Sequence, residues 1–115
     1  MNLADPQRTT AEKLTKIYTW YTERFASLLM KLDAIPEGAG TMLDNTLVIW
    51  GSEIGTGPSH DFRNVPFIVA GGGAHGVTGG QYLKVPKGTM HNRLIVSAMR
   101  YMGASEINTY GSLDK

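Results

Sequence analysis

The sequence predicts an α/β fold in which a mostly parallel sheet is flanked by helices. Three observations predict it: apolar residues recur at helical spacing over the first third of the chain, two short apolar runs follow, and a second helical pattern lies near the end. At 115 residues the chain has room for one hydrophobic core. We therefore expect residues 1–115 to form a single domain, or an incomplete portion of a larger one.

The first predicted element is an amphipathic helix over residues 10–33. The capping-box spacing of Thr9 and Glu12 predicts its start. Pro36 and the glycines after it predict its end, because Pro lacks a backbone donor and Gly readily adopts left-handed conformations. Its apolar positions follow one another at the intervals of a single helix face: Leu14, Ile17, Tyr18, Tyr21, Phe25, Leu28, Leu29 and Leu32.

Two continuous apolar runs, at 46–50 and 65–70, predict strands. Neither run alternates apolar and polar residues, which is typical of strands buried on both faces, as in parallel sheets. Asp44 and Asn45 predict a turn before the first run, and Pro66 lies near the start of the second, where a missing backbone donor is tolerated. We expect 46–50 and 66–70 to be neighbouring strands of one mostly parallel sheet, with the first helix packed on one of its faces.

The rest of the chain combines a glycine run with a second helical pattern. Residues 71–76, GGGAHG, match the dinucleotide-binding spacing G-x-G-x-x-G. That motif requires a helix to open at its third glycine, yet more glycines and β-forming residues follow, so we expect no nucleotide contact. We interpret the run as a turn that lets the backbone pass close to a neighbour. A last helix is predicted between Thr89 as its N-cap and Gly103 as its C-cap.

Composition and charge leave several functional classes without support. Eleven Lys and Arg residues against ten Asp and Glu give a net charge of +1, so no electrostatic argument favours a nucleic-acid partner. There is no Cys, which excludes thiolate catalysis and Cys-ligated zinc. The apolar stretches are far shorter than the roughly 18 residues of a membrane-spanning helix. We expect neither a nucleic-acid partner nor a membrane span in this chain.

Glu53 and His60 are the candidate metal ligands. In the stretch WGSEIGTGPSHD, Glu53 follows the first apolar run, whereas His60 and Asp61 precede the second. Ligand sites in open α/β sheets lie beyond the carboxyl ends of the strands, so the two side chains share one edge if the loop folds back. They would then bind one divalent ion. In the alternative interpretation, Glu53 caps the loop and His60 forms local hydrogen bonds.

The remaining polar candidates are weaker, and no catalytic residue is assigned. Ser52 lacks the G-x-S-x-G turn that presents a nucleophile in many hydrolases. His75 lies within the glycine run. His91 is expected to interact with the backbone of the last helix rather than with a metal ion.

Motifs along nearly the whole chain together resemble the bacterial family called domain of unknown function 1552. They are FASLL, IPEG, LDNTLVIWGSE, His60 ahead of VPF, AGGGAHGVTGGQYL and MHNRL. That family is similar to the alkaline phosphatase and sulfatase superfamily, whose strand-end motif is Ser-Asp-His-Gly. Here the motif reads Ser-Glu-Ile-Gly. Glu53 can replace the Asp as an oxygen ligand, Ile54 cannot replace the His, and His60 would supply the imidazole.

The resemblance implies a C-terminal fragment of an alkaline-phosphatase-like α/β protein, exported to the periplasm or beyond. The whole protein would hydrolyse a phosphate or sulfate ester of a small molecule or polysaccharide with a divalent metal ion. This chain alone would be inactive, since the relatives place their nucleophile and several metal ligands on earlier strands. The alternative is a non-catalytic binding or structural module at the cell surface, with its site eroded at Ile54.

Overall fold

The computed structural model describes residues 5–111, and its first element is one long helix. This helix, α1, spans Asp5–Asp33 and confirms the predicted amphipathic helix. The capping box predicted at Thr9 is wrong as a start, because α1 already begins at Asp5. At the other end the amide of Ala34 donates to the carbonyl of Met30 at 3.0 Å, and the helix stops before Pro36, as the missing donor of Pro predicts.

A tight hairpin and a turn lead from α1 to the first long strand. Strands β1, Pro36–Glu37, and β2, Gly40–Thr41, pair antiparallel around Gly38, whose φ of 61° is one that glycine adopts without strain. The carboxylate of Asp44 then accepts hydrogen bonds from the amide of Thr41 at 2.9 Å and from its hydroxyl at 3.2 Å. These bonds close the predicted turn before the next strand.

The two apolar runs form strands β3, Leu47–Gly51, and β4, Phe67–Gly71, which pair with each other as predicted. The pairing is antiparallel, with Leu47 opposite Gly71 and Gly51 opposite Phe67. Described residues thus form two helices and two separate two-stranded antiparallel sheets. The predicted mostly parallel sheet flanked by helices, and with it the alkaline-phosphatase-like fold, is wrong for this chain.

The connection between β3 and β4 accounts for the error in direction. A parallel neighbour needs a crossover that carries the chain back along the sheet, usually a helix. Residues 52–66 contain no helix and fold back on themselves, so the chain enters β4 at the end where it left β3. Continuous apolar runs indicate covered strands but say nothing about strand direction.

The second helix, α2, spans Asn92–Tyr101. Its N-cap is His91 rather than the predicted Thr89, although the His91 side chain makes no capping hydrogen bond. The carbonyl of His91 instead accepts the amide of Leu94 at 2.9 Å. The His91 side chain therefore does not cap the helix backbone, and only its backbone carbonyl bonds to the helix.

The end of α2 follows a Schellman motif. Gly103 has a φ of 95°, and its amide donates to the carbonyl of Arg100 at 3.0 Å. The next amide, of Ala104, donates to the carbonyl of Met99 at 3.1 Å. These are the two hydrogen bonds that define this helix ending. The C-cap is Met102, so the predicted C-cap, Gly103, lies one residue further on, where its left-handed conformation ends the helix.

The elements pack loosely on one another. No hydrophobic side chain in the described range is fully buried, although 42% of the residues in the sequence are hydrophobic. The Cα radius of gyration is 17.4 Å, against about 13 Å for a compact domain of this length. Helix α1 meets the β3–β4 sheet where the rings of Phe25 and Trp50 lie 5.1 Å apart, centroid to centroid.

Candidate functional site

Both candidate metal ligands lie in the loop that joins β3 to β4, residues 52–66. Glu53 is two residues beyond the end of β3, and His60 lies in the middle of the loop. Because β3 and β4 are antiparallel, the two ends of this loop emerge at the same end of the sheet. The loop therefore places Glu53 and His60 at one end of the β3–β4 sheet. The cause is the antiparallel pairing of the two strands, not the parallel sheet edge that the sequence predicted.

The loop folds back as the metal-site hypothesis requires. Thr56 and Asp61 form an isolated antiparallel bridge, in which the amide of Asp61 donates to the carbonyl of Thr56 at 3.1 Å. The amide of Gly55 donates to the carbonyl of Asp61 at 2.7 Å. Between them a turn closes from the amide of His60 to the carbonyl of Gly57 at 3.1 Å. The Gly-Pro segment thus forms a small hairpin that carries His60 at its tip.

Glu53 and His60 both have exposed side chains. His60 also has a φ of 50°, in the left-handed region that a non-glycine residue occupies at some cost. Neither side chain forms a hydrogen bond or ion pair with another residue in the range 5–111. Within that range the local hydrogen-bonding alternative is represented only by the backbone amide of His60, which donates to the carbonyl of Gly57, and the shared metal ion stays a prediction.

Asp61, next to His60, is held by Arg63. The guanidinium Nη2 of Arg63 lies 2.6 Å from Oδ2 of Asp61, and the backbone amide of Arg63 donates to Oδ1 at 2.8 Å. The side-chain hydrogen bond from Arg63 lowers the pKa of Asp61, and the same bond raises the pKa of Arg63. Sequence reasoning missed this pair, because the contact depends on how the backbone of the loop folds.

Ser52 stabilises the start of the loop. Its hydroxyl donates to the carbonyl of Ile54 at 3.0 Å and accepts the amide of the same residue at 3.2 Å. This local bonding is typical of serine in turns. Ser52 therefore orders the backbone around Glu53.

The loop does not hold a full set of metal ligands by itself. Among the described residues, no three side chains of His, Cys, Asp or Glu lie close enough together to hold a metal ion. An ion bound by Glu53 and His60 would take its remaining ligands from water or from another polypeptide, since zinc prefers four ligands.

The other two histidines contact aromatic rings. The ring of His75 stands edge-on to that of Tyr101 with centroids 5.6 Å apart, and the ring of His91 lies 6.1 Å from that of Phe67. His75 belongs to a single 3₁₀ turn, Gly73–His75. These contacts help pack α2 against the glycine run and β4.

The glycine run lies against the turn that precedes β3. The amide of Gly72 donates to the carbonyl of Leu43 at 3.0 Å, and the amide of Ala74 donates to that of Asp44 at 3.1 Å. A Cβ on Gly72 would lie 2.8 Å from a methyl group of Val77, so only glycine fits. This is the close backbone approach that the sequence predicted for the run.

Comparisons with models of protein families, with curated proteins and with solved structures find no match. Within residues 5–111, no helix combines the length and the apolar character needed to cross a membrane. The resemblance to the domain of unknown function 1552 family and the hydrolytic activity it implies therefore stay predictions.

Proposed function

We propose that this chain is a non-catalytic interaction module that completes its hydrophobic core against another polypeptide. The observation that carries the proposal is the exposure of its large apolar side chains, of which Phe62 is 79% and Tyr82 90% exposed. Exposed apolar residues also cover α1 and β4 and include Leu14, Ile17, Tyr18, Trp20, Tyr21, Leu28, Met30, Ile68 and Val69. These side chains belong to several elements, so the lack of apolar burial is a property of the whole described chain.

Apolar side chains that stay exposed to water do not stabilise the fold. Burying one Leu, Ile or Phe side chain contributes about 1.5–3 kcal/mol, and a whole domain is stable by only about 5–15 kcal/mol. Leaving many such side chains in water removes the term that normally offsets the loss of chain entropy. Contiguous exposed apolar surface also marks protein–protein interaction sites. A partner surface supplies the missing burial.

We expect the isolated chain to bind the dye ANS and to show weak near-ultraviolet circular dichroism, because its apolar faces are open and its aromatic rings lack fixed surroundings. Both signals should be compared with those of a compact domain of similar length. A chain that excludes ANS and unfolds in one sharp cooperative transition would contradict the proposed module, since it would have a complete core of its own.

A second candidate function is metal-dependent hydrolysis of phosphate or sulfate esters by a larger extracytoplasmic protein that contains this chain. One observation favours it: the hairpin loop carries Glu53 and His60, both exposed, at one end of the β3–β4 sheet. A carboxylate and an imidazole are suitable ligands for a divalent ion, which would polarise the ester oxygen and activate a nucleophile from elsewhere in the protein.

For this candidate, we expect Glu53→Gln and His60→Ala each to weaken Zn²⁺ binding by about tenfold or more, measured by isothermal titration calorimetry. Each substitution removes one of two protein ligands, and tenfold corresponds to about 1.4 kcal/mol. The Glu53→Gln substitution keeps the size of the side chain and removes its charge.

The matched control is Glu37→Gln, an exposed carboxylate in β1. It should leave Zn²⁺ affinity unchanged. Equal affinity for the original chain and both loop variants would remove Glu53 and His60 from any metal site.

A further inference from the structure

Helix α1 carries an apolar stripe with alternating spacings of three and four residues, which is the heptad pattern of pairing helices. The stripe consists of Ala11, Leu14, Tyr18, Tyr21, Phe25, Leu28 and Leu32. Three heptads in register mean that all seven side chains lie along one side of the helix. One partner surface can therefore cover the whole stripe.

Other described residues cover part of the second half of this stripe, where Leu28 is still 45% exposed. Phe25 packs on Trp50 of β3 and is partly buried, as is Leu32. In the first half, Leu14 is 47%, Tyr18 63% and Tyr21 52% exposed. Every side chain from residue 9 to residue 24 is exposed. From Leu14 to Tyr21, α1 is thus an arm whose apolar side continues the packed one and is left uncovered by the other described residues.

The charged side chains of this arm lie away from the stripe except for Arg24, which is about 60° around the helix from Tyr21. At 100° per residue, Lys16 lies about 160° around the helix from Tyr18, and Glu23 lies on the same far side. The guanidinium of Arg24 lies over the ring of Trp20, 5.6 Å from its centroid. Thr15 and Thr22 border the stripe on its other edge. Two identical stripes can therefore meet without bringing like charges together.

We propose that the occupant of this stripe is a second copy of the chain, bound antiparallel through the first halves of the two α1 helices. Tyr18 then lies at the two-fold axis, and Leu14 of each copy packs on Tyr21 of the other. A parallel pair would bring the second halves together, where Phe25 already packs on Trp50 of β3. The proposal rests on the interaction module proposed above and names its partner.

The exposed area sets the expected strength of this dimer. An aromatic side chain buries about 150–250 Å² when fully covered, so the half-exposed stripe residues offer on the order of 400–500 Å² per copy. The total of roughly 1,000 Å² is below the 1,200–2,000 Å² of stable complexes. We expect a weak dimer, with a dissociation constant on the order of 10 μM, because an area below that of stable complexes is typical of transient ones.

The first test is sedimentation velocity at chain concentrations from about 1 to 300 μM, which bracket that constant. The original chain should shift from monomer to dimer, and Tyr18→Asp should stay monomeric, because it places two carboxylates at the axis. Lys16→Ala, on the opposite side of the same helix, should dimerise like the original. Far-ultraviolet circular dichroism checks that each variant keeps its helix.

The second test uses engineered disulfides, which are unambiguous because the sequence has no Cys. Under oxidation Tyr18→Cys should form dimers, Leu14→Cys should not, and a mixture of Leu14→Cys with Tyr21→Cys should form mixed dimers. Efficient self-linking of Leu14→Cys would contradict the antiparallel arrangement.

A chain that stays monomeric at all concentrations and binds ANS would overturn the dimer but keep the interaction module. A monomer that excludes ANS would overturn both.

Discussion

Gly71→Ala is expected to destabilise the β3–β4 hairpin by about 2–4 kcal/mol. Gly71 has a φ of 77°, a left-handed conformation that costs other residues about 1–2 kcal/mol. A Cβ at this position would also collide with the carbonyl oxygen of Thr46 and lie 2.6 Å from that of Leu43. Both obstacles are backbone atoms, so no side-chain rotation relieves them. The turn before β3 would have to move.

Amide hydrogen exchange measures the loss of stability in the β3–β4 hairpin itself. Substitutions at two other glycines distinguish the cost of the left-handed conformation from the cost of the collision. A loss of 2 kcal/mol accelerates exchange of the β3 and β4 amides about thirtyfold. Gly76 has a φ of 88° with open space around its Cβ position, so Gly76→Ala should show only the conformational cost, about 1–2 kcal/mol. Gly79 has open space and no positive φ, and Gly79→Ala should be near neutral. Equal effects for Gly71→Ala and Gly76→Ala would contradict the backbone collision.

The sequence predicted most elements of this fold but not how they assemble. Helical spacing from Leu14 to Leu32 located α1, and Gly103 marked the end of α2, because both signals are local. The antiparallel direction of β3 and β4 depends on the loop between them, whose hydrogen bonds link Thr56 to Asp61. Residue types in a Gly-Pro loop do not specify that pairing.

For the candidate site, too, the sequence predicted the residues but not their contacts. The sequence predicted Glu53 just after the first strand and His60 just before the second, whereas His60 lies in the middle of the loop, well before the hydrogen-bonded pairing of β4 begins at Phe67 and close to the Thr56–Asp61 bridge. The sequence did not reveal that Arg63 holds Asp61, because that bond depends on the backbone of the loop. It also could not show that the apolar side of the arm stays uncovered by the other described residues, because an apolar stripe predicts burial without naming the covering surface.

Phe25→Ala and Trp50→Ala are each expected to weaken the docking of α1 on the β3–β4 sheet by about 1–2 kcal/mol. Their rings lie 5.1 Å apart and form an aromatic contact between the helix and the sheet. In a chain whose described part buries no hydrophobic side chain completely, losing one ring removes a large share of the tertiary packing. Amide exchange in residues 25–33 should accelerate about fivefold to thirtyfold.

A double-mutant cycle distinguishes direct contact from general loosening. Aromatic pairs couple by about 0.5–1.5 kcal/mol, so the double variant should be less destabilised than the sum of the two single variants by that amount. Trp20→Ala is the matched control, because Trp20 is 54% exposed and its ring contacts Tyr21 and Arg24 on α1 itself. It should leave exchange in residues 25–33 unchanged. Strict additivity of Phe25→Ala and Trp50→Ala would mean that the two rings do not interact directly, and other contacts of α1, such as those of the partly buried Leu32 and the hydrogen bond from Thr41 to Asp33, would then hold its end in place.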